Sequence, residues 1–173
     1  GESRSKAKLE LTTADKKVEA GETIEVNISS SNFNEVFGFQ YTMNLMGANF
    51  VDVVPGVINV AEANVGVISD DQITMSFAAS EAVTTRAEDV LFTIVLKANK
   101  AGQLSEMMHI NSNVTSAESY VGSTMKVNNI GLTVGSVNTT ASIELFQKEP
   151  NPLKASTNVN IFMPKADNVT LTV

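Results

Sequence analysis

The run Glu22-Thr23-Ile24-Glu25-Val26-Asn27-Ile28-Ser29 alternates polar and apolar residues almost without exception. Successive side chains of a β-strand point to opposite faces, so Ile24, Val26 and Ile28 share one face and Thr23, Glu25 and Asn27 the other. Such a strand is packed on one side and wet on the other, as in an antiparallel sheet. The same period recurs on both sides of it. Leu9 and Leu11 alternate with Lys8, Glu10 and Thr12, before the polar turn Asp15-Lys16-Lys17. Downstream, Phe37-Gly38-Phe39-Gln40-Tyr41-Thr42-Met43-Asn44-Leu45 repeats the pattern with larger side chains. Gly66-Val67-Ile68-Ser69 and Gln72-Ile73-Thr74-Met75-Ser76-Phe77 flank Asp70-Asp71 and read as a hairpin, because Asp tolerates the left-handed geometry of a tight turn. The segment 90–96 leaves only Thr93 polar, which predicts a strand covered on both faces. Weaker strands are predicted near 107–111 and 125–134.

Turn signals fall between these runs at roughly 8–12-residue spacing, the mark of a β-sandwich. Long helical periodicity is absent, and only 80–89 has room for a helical turn or two. The chain is therefore read as all-β. Its 173 residues, 43% of them hydrophobic, can bury a core without a disulfide or a metal. A net charge of −7 with scattered Lys excludes nucleic-acid binding, which needs clustered positive charge. The absence of Cys removes thiol nucleophiles and Cys-ligated metals. The most apolar stretch, 48–68, is broken by Asp52, Pro55, Gly56, Glu62 and Gly66, so it predicts no membrane span. The start, Gly1-Glu2-Ser3-Arg4-Ser5-Lys6, has no apolar stretch behind it and reads as a mature or trimmed end of a soluble chain.

A boundary is predicted near Gly135. Residues 1–134 form the sandwich, the small polar stretch 135–142 a linker, and 143–173 a separate piece. In that piece Pro150-Asn151-Pro152 makes a rigid turn. Val159, Ile161 and Met163 then alternate, Pro164 breaks the run, and Val169, Leu171 and Val173 alternate again. This predicts a hairpin, and two strands alone are marginal in water. Its unpaired edges are expected to pack on the sandwich or add to a neighbouring molecule's sheet, giving edge-strand self-association through the tail.

Two resemblances follow from these residues. The tail from Leu145 to Val173, with Pro150, Asn151 and Pro152, then Thr157, the alternating strand and the break at Pro164, resembles the opening of the C-terminal sorting domain of type IX (Por) secretion substrates. It departs at Lys148, where that family has Asn, and at Leu153, where it has Phe; the second half of the domain is missing. The resemblance implies a partner in the type IX machinery and a parent protein that is secreted or held at the bacterial outer-membrane surface. The body resembles cohesin-like modules, jelly-roll sandwiches of about nine strands. The matching residues are Val18-Glu19-Ala20-Gly21-Glu22-Thr23-Ile24-Glu25-Val26, Phe37-Gly38-Phe39-Gln40-Tyr41-Thr42-Met43, Ile73-Thr74-Met75-Ser76-Phe77 and Val90-Leu91-Phe92-Thr93-Ile94-Val95-Leu96. Members of that family bind a dockerin on one sheet face, and relatives on the same scaffold bind carbohydrate.

Candidate sites are few. No Gly-x-Ser-x-Gly elbow is present, and the single His109, between Met108 and Ile110, is expected to face solvent rather than serve a relay. Acidic residues stand in no context that pairs them across a sugar. Asp70, Asp71, Glu88 and Asp89 are the candidate ligands for calcium, the one cofactor considered, against the reading that they are solvated loop acids. Phe37, Phe39 and Tyr41 share one strand face and are expected in the core. That leaves Tyr120, placed in a loop, as the exposed ring for stacking on a glycan. The triplets at Asn27, Asn113, Asn138 and Asn168 are chance occurrences of a glycosylation signal. The resulting expectation is a non-catalytic adhesion or scaffolding module with a protein or surface-glycan partner and a partial export signal. The alternative is a carbohydrate-binding module assisted by calcium.

Overall fold

The computed structural model describes residues 8–140. Pro150, Asn151, Pro152, Thr157, Pro164, the hairpin expected over 157–173 and the self-association expected from it lie outside the described residues.

Alternation becomes sheet as expected. The strands are β1 Lys8–Thr13, β2 Lys17–Val18, β3 Thr23–Ser30, β4 Val36–Leu45, β5 Ala48–Pro55, β6 Val65–Ser69, β7 Gln72–Val83, β8 Phe92–Ala98, β9 Gly102–Gln103, β10 Met108–Asn111, β11 Glu118–Val121, β12 Lys126–Val134 and β13 Val137–Asn138. Nine of them form one curled path, β5-β8-β3-β1-β12-β11-β4-β7-β6, with β10 beside β4 and β13 beside β12; β2 and β9 make a separate ribbon. The path folds over at β12. Its first half pairs antiparallel with β11 and its second half parallel with β1, so one strand belongs to both layers. The result is an all-β sandwich of the jelly-roll kind.

The two layers bury their alternating apolar positions against each other. Ile24, Val26 and Ile28 of β3 face Phe39, Tyr41 and Met43 of β4 across one continuous core. Phe39 sits at its centre. Its ring lies 5.3 Å from Phe77 on β7, and 6.2 Å from each of Phe33 in the β3–β4 loop, Tyr41 on its own strand and Phe92 on β8. The contacts are edge-on, tilted and offset-stacked, arrangements that suit the ring quadrupole. Phe37, expected beside Phe39 in the core, is only half-buried, because a bulge between Val36 and Gly38 shifts the register there.

Several expectations are corrected. The apolar run 90–96 enters β8 only at Phe92, and the strand is covered on one face. Thr93 and Val95 are half-buried and Lys97 is exposed. Val90 and Leu91 belong to the preceding loop, where their carbonyls accept the backbone N–H groups of Val57, Gly56 and Ile58. No helix forms in 80–89; β7 runs through to Val83, and single 3-10 turns appear instead at Glu62–Asn64 and Leu104–Glu106. The strands β5 and β11 were not expected. In β5 a bulge between Phe50 and Asp52 breaks the alternation. In β11 the inward position is Ser119, whose hydroxyl donates to the Asn129 carbonyl at 3.2 Å, so a polar residue occupies a core place. The described part of the expected linker is docked. Thr133 and Val134 pair with Asn138 and Val137, and Leu132 N–H donates to Thr140 Oγ1 at 2.7 Å.

Truncating Phe39 to Ala removes the ring that touches four others, and is expected to cost about 3–5 kcal/mol in chemical denaturation. Phe37→Ala, on the bulge, should cost less than half as much. Equal losses would show that Phe39 is not the centre of the core.

Candidate functional site

Residues paired directly across a sheet share a face. Gln40 of β4 is opposite Ser76 of β7 and Glu118 of β11, and Gly38 is opposite Ala78 and Tyr120. Asn44 is likewise opposite Gln72 and His109, and Thr42 opposite Thr74 and Asn111. The outer face of β7, β4, β10 and β11 thus carries amides, hydroxyls and small residues. Glu118 is the one carboxylate among these paired positions. The outer face of the other layer is different, since Glu10, Glu25, Asp52 and Lys97 all stand on it. Depletion of charge distinguishes the centre of protein interfaces from the rest of a surface.

The loop after β10 divides this neutral face. Thr42 Oγ1 donates to the Thr115 carbonyl at 2.9 Å and accepts Val114 and Thr115 N–H at 3.1 and 2.8 Å, so the loop lies over a fully buried Thr42. On one side is an amide ladder, in which Asn44 Oδ1 accepts Asn111 Nδ2 at 2.7 Å and Gln72 Nε2 at 3.4 Å. On the other is a shallow groove of about 270 Å³ lined by Phe37, Gly38, Gln40, Ser76, Ala78, Tyr120 and Met125. Gly38 has to be bare, because a Cβ there would stand 2.6 Å from the Phe77 carbonyl oxygen. Beside it, Ala78 and Ser76 keep the floor low, and Tyr120 and Met125 form one wall.

The groove ends at a strained corner. Glu35 and Met125 both hold left-handed backbone, φ 53° and 52°, although neither is glycine. Each costs of order 1–3 kcal/mol and persists only where its surroundings impose it. Here Glu35 N–H donates to Thr84 Oγ1 at 3.0 Å, its carbonyl accepts Gly122 N–H at 2.8 Å, and Met125 N–H donates to the Gly122 carbonyl at 2.9 Å. The strain leaves the Met125 side chain 53% exposed beside the aromatic wall. A second depression of about 370 Å³, around Thr12, Glu25, Asn27 and Lys16, is larger but lies on the charged layer; Lys16 there is already paired with Glu22 at 3.2 Å.

Tyr120 lies in strand β11 rather than in a loop, and it is half-buried. Its hydroxyl donates to Glu118 Oε2 at 2.9 Å. Burial, then that hydrogen bond and the carboxylate's charge, push the phenol above its ordinary value. The calcium candidates fall into two separate pairs. Asp70 and Asp71 form the β6–β7 turn as expected, with Asp71 Oδ1 accepting Ser69 Oγ at 2.8 Å. Glu88 and Asp89 flank Arg86 at 3.4 and 3.1 Å. Asp89 also accepts Arg86 N–H at 2.9 Å, and this bond and the guanidinium hold its carboxyl below the usual range. Among the described residues no three acidic or His side chains converge on one point. His109 faces outward beside Asn44, with Nε2 2.9 Å from the Glu106 carbonyl.

Sequence reasoning missed Gly38 and Met125. Glycine inside a strand pattern signals a bulge or a close backbone approach, and Gly38 has both. The left-handed turn at Met125 leaves no trace in residue type.

No protein-family model matches the chain, and no curated protein matches it. Solved structures do. A chain of the Coh-OlpC–Doc435 complex, a type I cohesin–dockerin complex from Clostridium thermocellum, is similar over 77% of this chain and 94% of its own, at 15% identity and a TM-score of 0.55. A chain of the Coh-OlpA–Doc918 complex from the same organism is similar over 73% and 95%, at 16% identity and a TM-score of 0.52. The structure of the sixth cohesin of Acetivibrio cellulolyticus scaffoldin B, in complex with a Cel5 dockerin, also gives 0.52, at 13% identity over 73% and 95%. The fold of this chain is cohesin-like.

The phenol shift is open to direct measurement. In a spectrophotometric titration, Glu118→Gln should lower the phenol transition of Tyr120, the earlier of the two because Tyr41 is fully buried, by removing the carboxylate's charge. An unchanged curve would show that Glu118 does not reach Tyr120 in solution.

Proposed function

We propose that the chain is a non-catalytic protein-interaction module that holds its partner on the outer face of β7, β4, β10 and β11, centred on the Tyr120–Met125 groove. The observation that carries this reading is the coincidence, on one nearly uncharged face, of a small-residue floor, an aromatic wall and a strained corner. Three neighbours of this fold are cohesins solved with dockerins, and a dockerin-type module is the partner class that follows. Recognition on such a face rests on apolar contact and amide hydrogen bonds, with few ion pairs to be screened. The parent protein is a secreted or cell-surface scaffold, and the Pro150-Asn151-Pro152 segment belongs to its export signal.

Against a panel of immobilised dockerin modules, the full chain should bind a member with a Kd that changes less than about threefold between roughly 0.05 and 0.5 M salt. Gln40→Arg and Tyr120→Ala should each weaken that binding by about tenfold or more, since interface energy concentrates in central aromatic contacts and a buried unpaired charge is costly. Variants that bind like the native chain would place the partner elsewhere. Retention on a glycan array with no dockerin bound would replace this reading by the carbohydrate-binding one.

A reporter fused to the parental tail in its intact form should leave the cell only where the type IX apparatus works. Export without the apparatus would remove that part of the proposal.

A further inference from the structure

The curled path has two ends, β5 and β6, and among the described residues each pairs with a neighbour on one side only. Phe50 N–H of β5 donates to the Asp70 carbonyl in the β6–β7 turn at 3.0 Å, so both free edges run along the same side of the sandwich. An unpaired edge is a template for another chain, and proteins normally blunt it with charge, proline or a bulge. The β5 edge is blunted in all three ways, by Asp52, by Pro55 and by the bulge between Phe50 and Asp52. The β6 edge, Val-Gly-Val-Ile-Ser, has no charge and no proline; its register is regular from Val65 to Val67 and shifts only at its end, between Val67 and Ser69. Val67 and Ile68 are 60% and 53% exposed.

What surrounds this edge says what it takes. Glu62 stands in the 3-10 turn before β6, and Asp70 and Asp71 form the turn after it. None of the ion pairs among the described residues involves these three acids. A second copy paired antiparallel through Val67 would lay its Asp70-Asp71 turn alongside the 62–64 turn of the first, acid against acid. We propose that β6 is instead a strand-addition site for an extended peptide of alternating apolar residues with Lys or Arg at both ends. Main-chain hydrogen bonds to the edge would supply affinity, and the acids at the two ends would select the peptide by charge. Five residues of strand span roughly 17 Å, so the basic residues would stand about six to eight positions apart. This surface is separate from the Tyr120 groove and does not depend on it.

Two labelled peptides of about nine residues, alternating valine and threonine, test the site on the full chain. One ends in lysine at both termini and the other in glutamate. By fluorescence anisotropy the lysine-ended peptide should bind at least about tenfold more tightly, and high salt should weaken it. Its binding should slow amide hydrogen exchange at the N–H groups of β6 that point away from β7. Asp70→Asn with Asp71→Asn keeps the turn's hydrogen-bond acceptor and should cost about fivefold in affinity. Val67→Lys should abolish binding, and Tyr120→Ala should leave it unchanged. No binding, equal binding of both peptides, no protection on β6 or loss with Tyr120→Ala would each overturn the proposal. So would a concentration-dependent dimer of the chain that Val67→Lys dissolves, since the occupant would then be a second copy.

Discussion

The packing of Phe39 is the contact on which the rest of the molecule depends. The ring touches Phe77 within its own layer, Phe92 in the opposite layer and Phe33 in the loop that joins the two. It therefore fixes the spacing of the layers and the path of the chain between them. Protein interiors are packed as densely as organic crystals, so a ring of this size in the middle leaves neighbouring rotamers little freedom. Its position has a consequence on the outside too. With Phe39 pointing inward, Gly38 and Gln40 must point outward, and the floor and side of the groove are set by the same register that builds the core.

A sandwich closed at one corner and open at the other distributes its risks unevenly. At the closed corner β12 serves both layers, and the segment 137–140 is stitched to β12 and β10. At the open side two strand edges are left unpaired among the described residues. One is blunted by a bulge in mid-strand, an acid and a proline; the other is short, neutral, irregular only at its end and bracketed by acids. Charge follows a similar division across the faces. The layer containing β3 and β8 carries acids and lysines outward, which keeps that side solvated. The layer containing β4 and β7 carries amides and hydroxyls that satisfy one another, so contact there would desolvate few ions.

The corner at Glu35 and Met125 shows how a stable fold holds an unfavourable backbone. Glu35 is pinned by Thr84 and Gly122, and the Met125 N–H by the Gly122 carbonyl. These bonds come from three loops that are far apart in sequence. The energy of the core is what brings them together, and the strain then presents Met125 next to Tyr120 in place of a relaxed polar turn.

Much of the fold was legible in the sequence, and the reason is local. Period-two alternation at Ile24-Val26-Ile28 and at Phe39-Tyr41-Met43 announces a strand with one buried face whatever lies opposite, and Asp70-Asp71 announces its turn through the backbone preferences of Asp. The misses have local causes as well. The bulge in β5 hid its alternation, the inward Ser119 disguised β11 as a loop, and the apolar Val90 and Leu91 are half-buried and buried as loop residues rather than strand. The groove was not legible. It exists because β11 and β7 come to lie on either side of Gly38, a pairing between residues about 40 to 80 positions apart that no window of sequence contains. Residue type determined where the regularly alternating strands would form and that the chain would be an all-β sandwich. Only the tertiary structure decided which outer face would be free of charge, where Tyr120 and Met125 would meet, and which edge would stay open, because each of these depends on register between strands, and register is fixed by packing across the whole core.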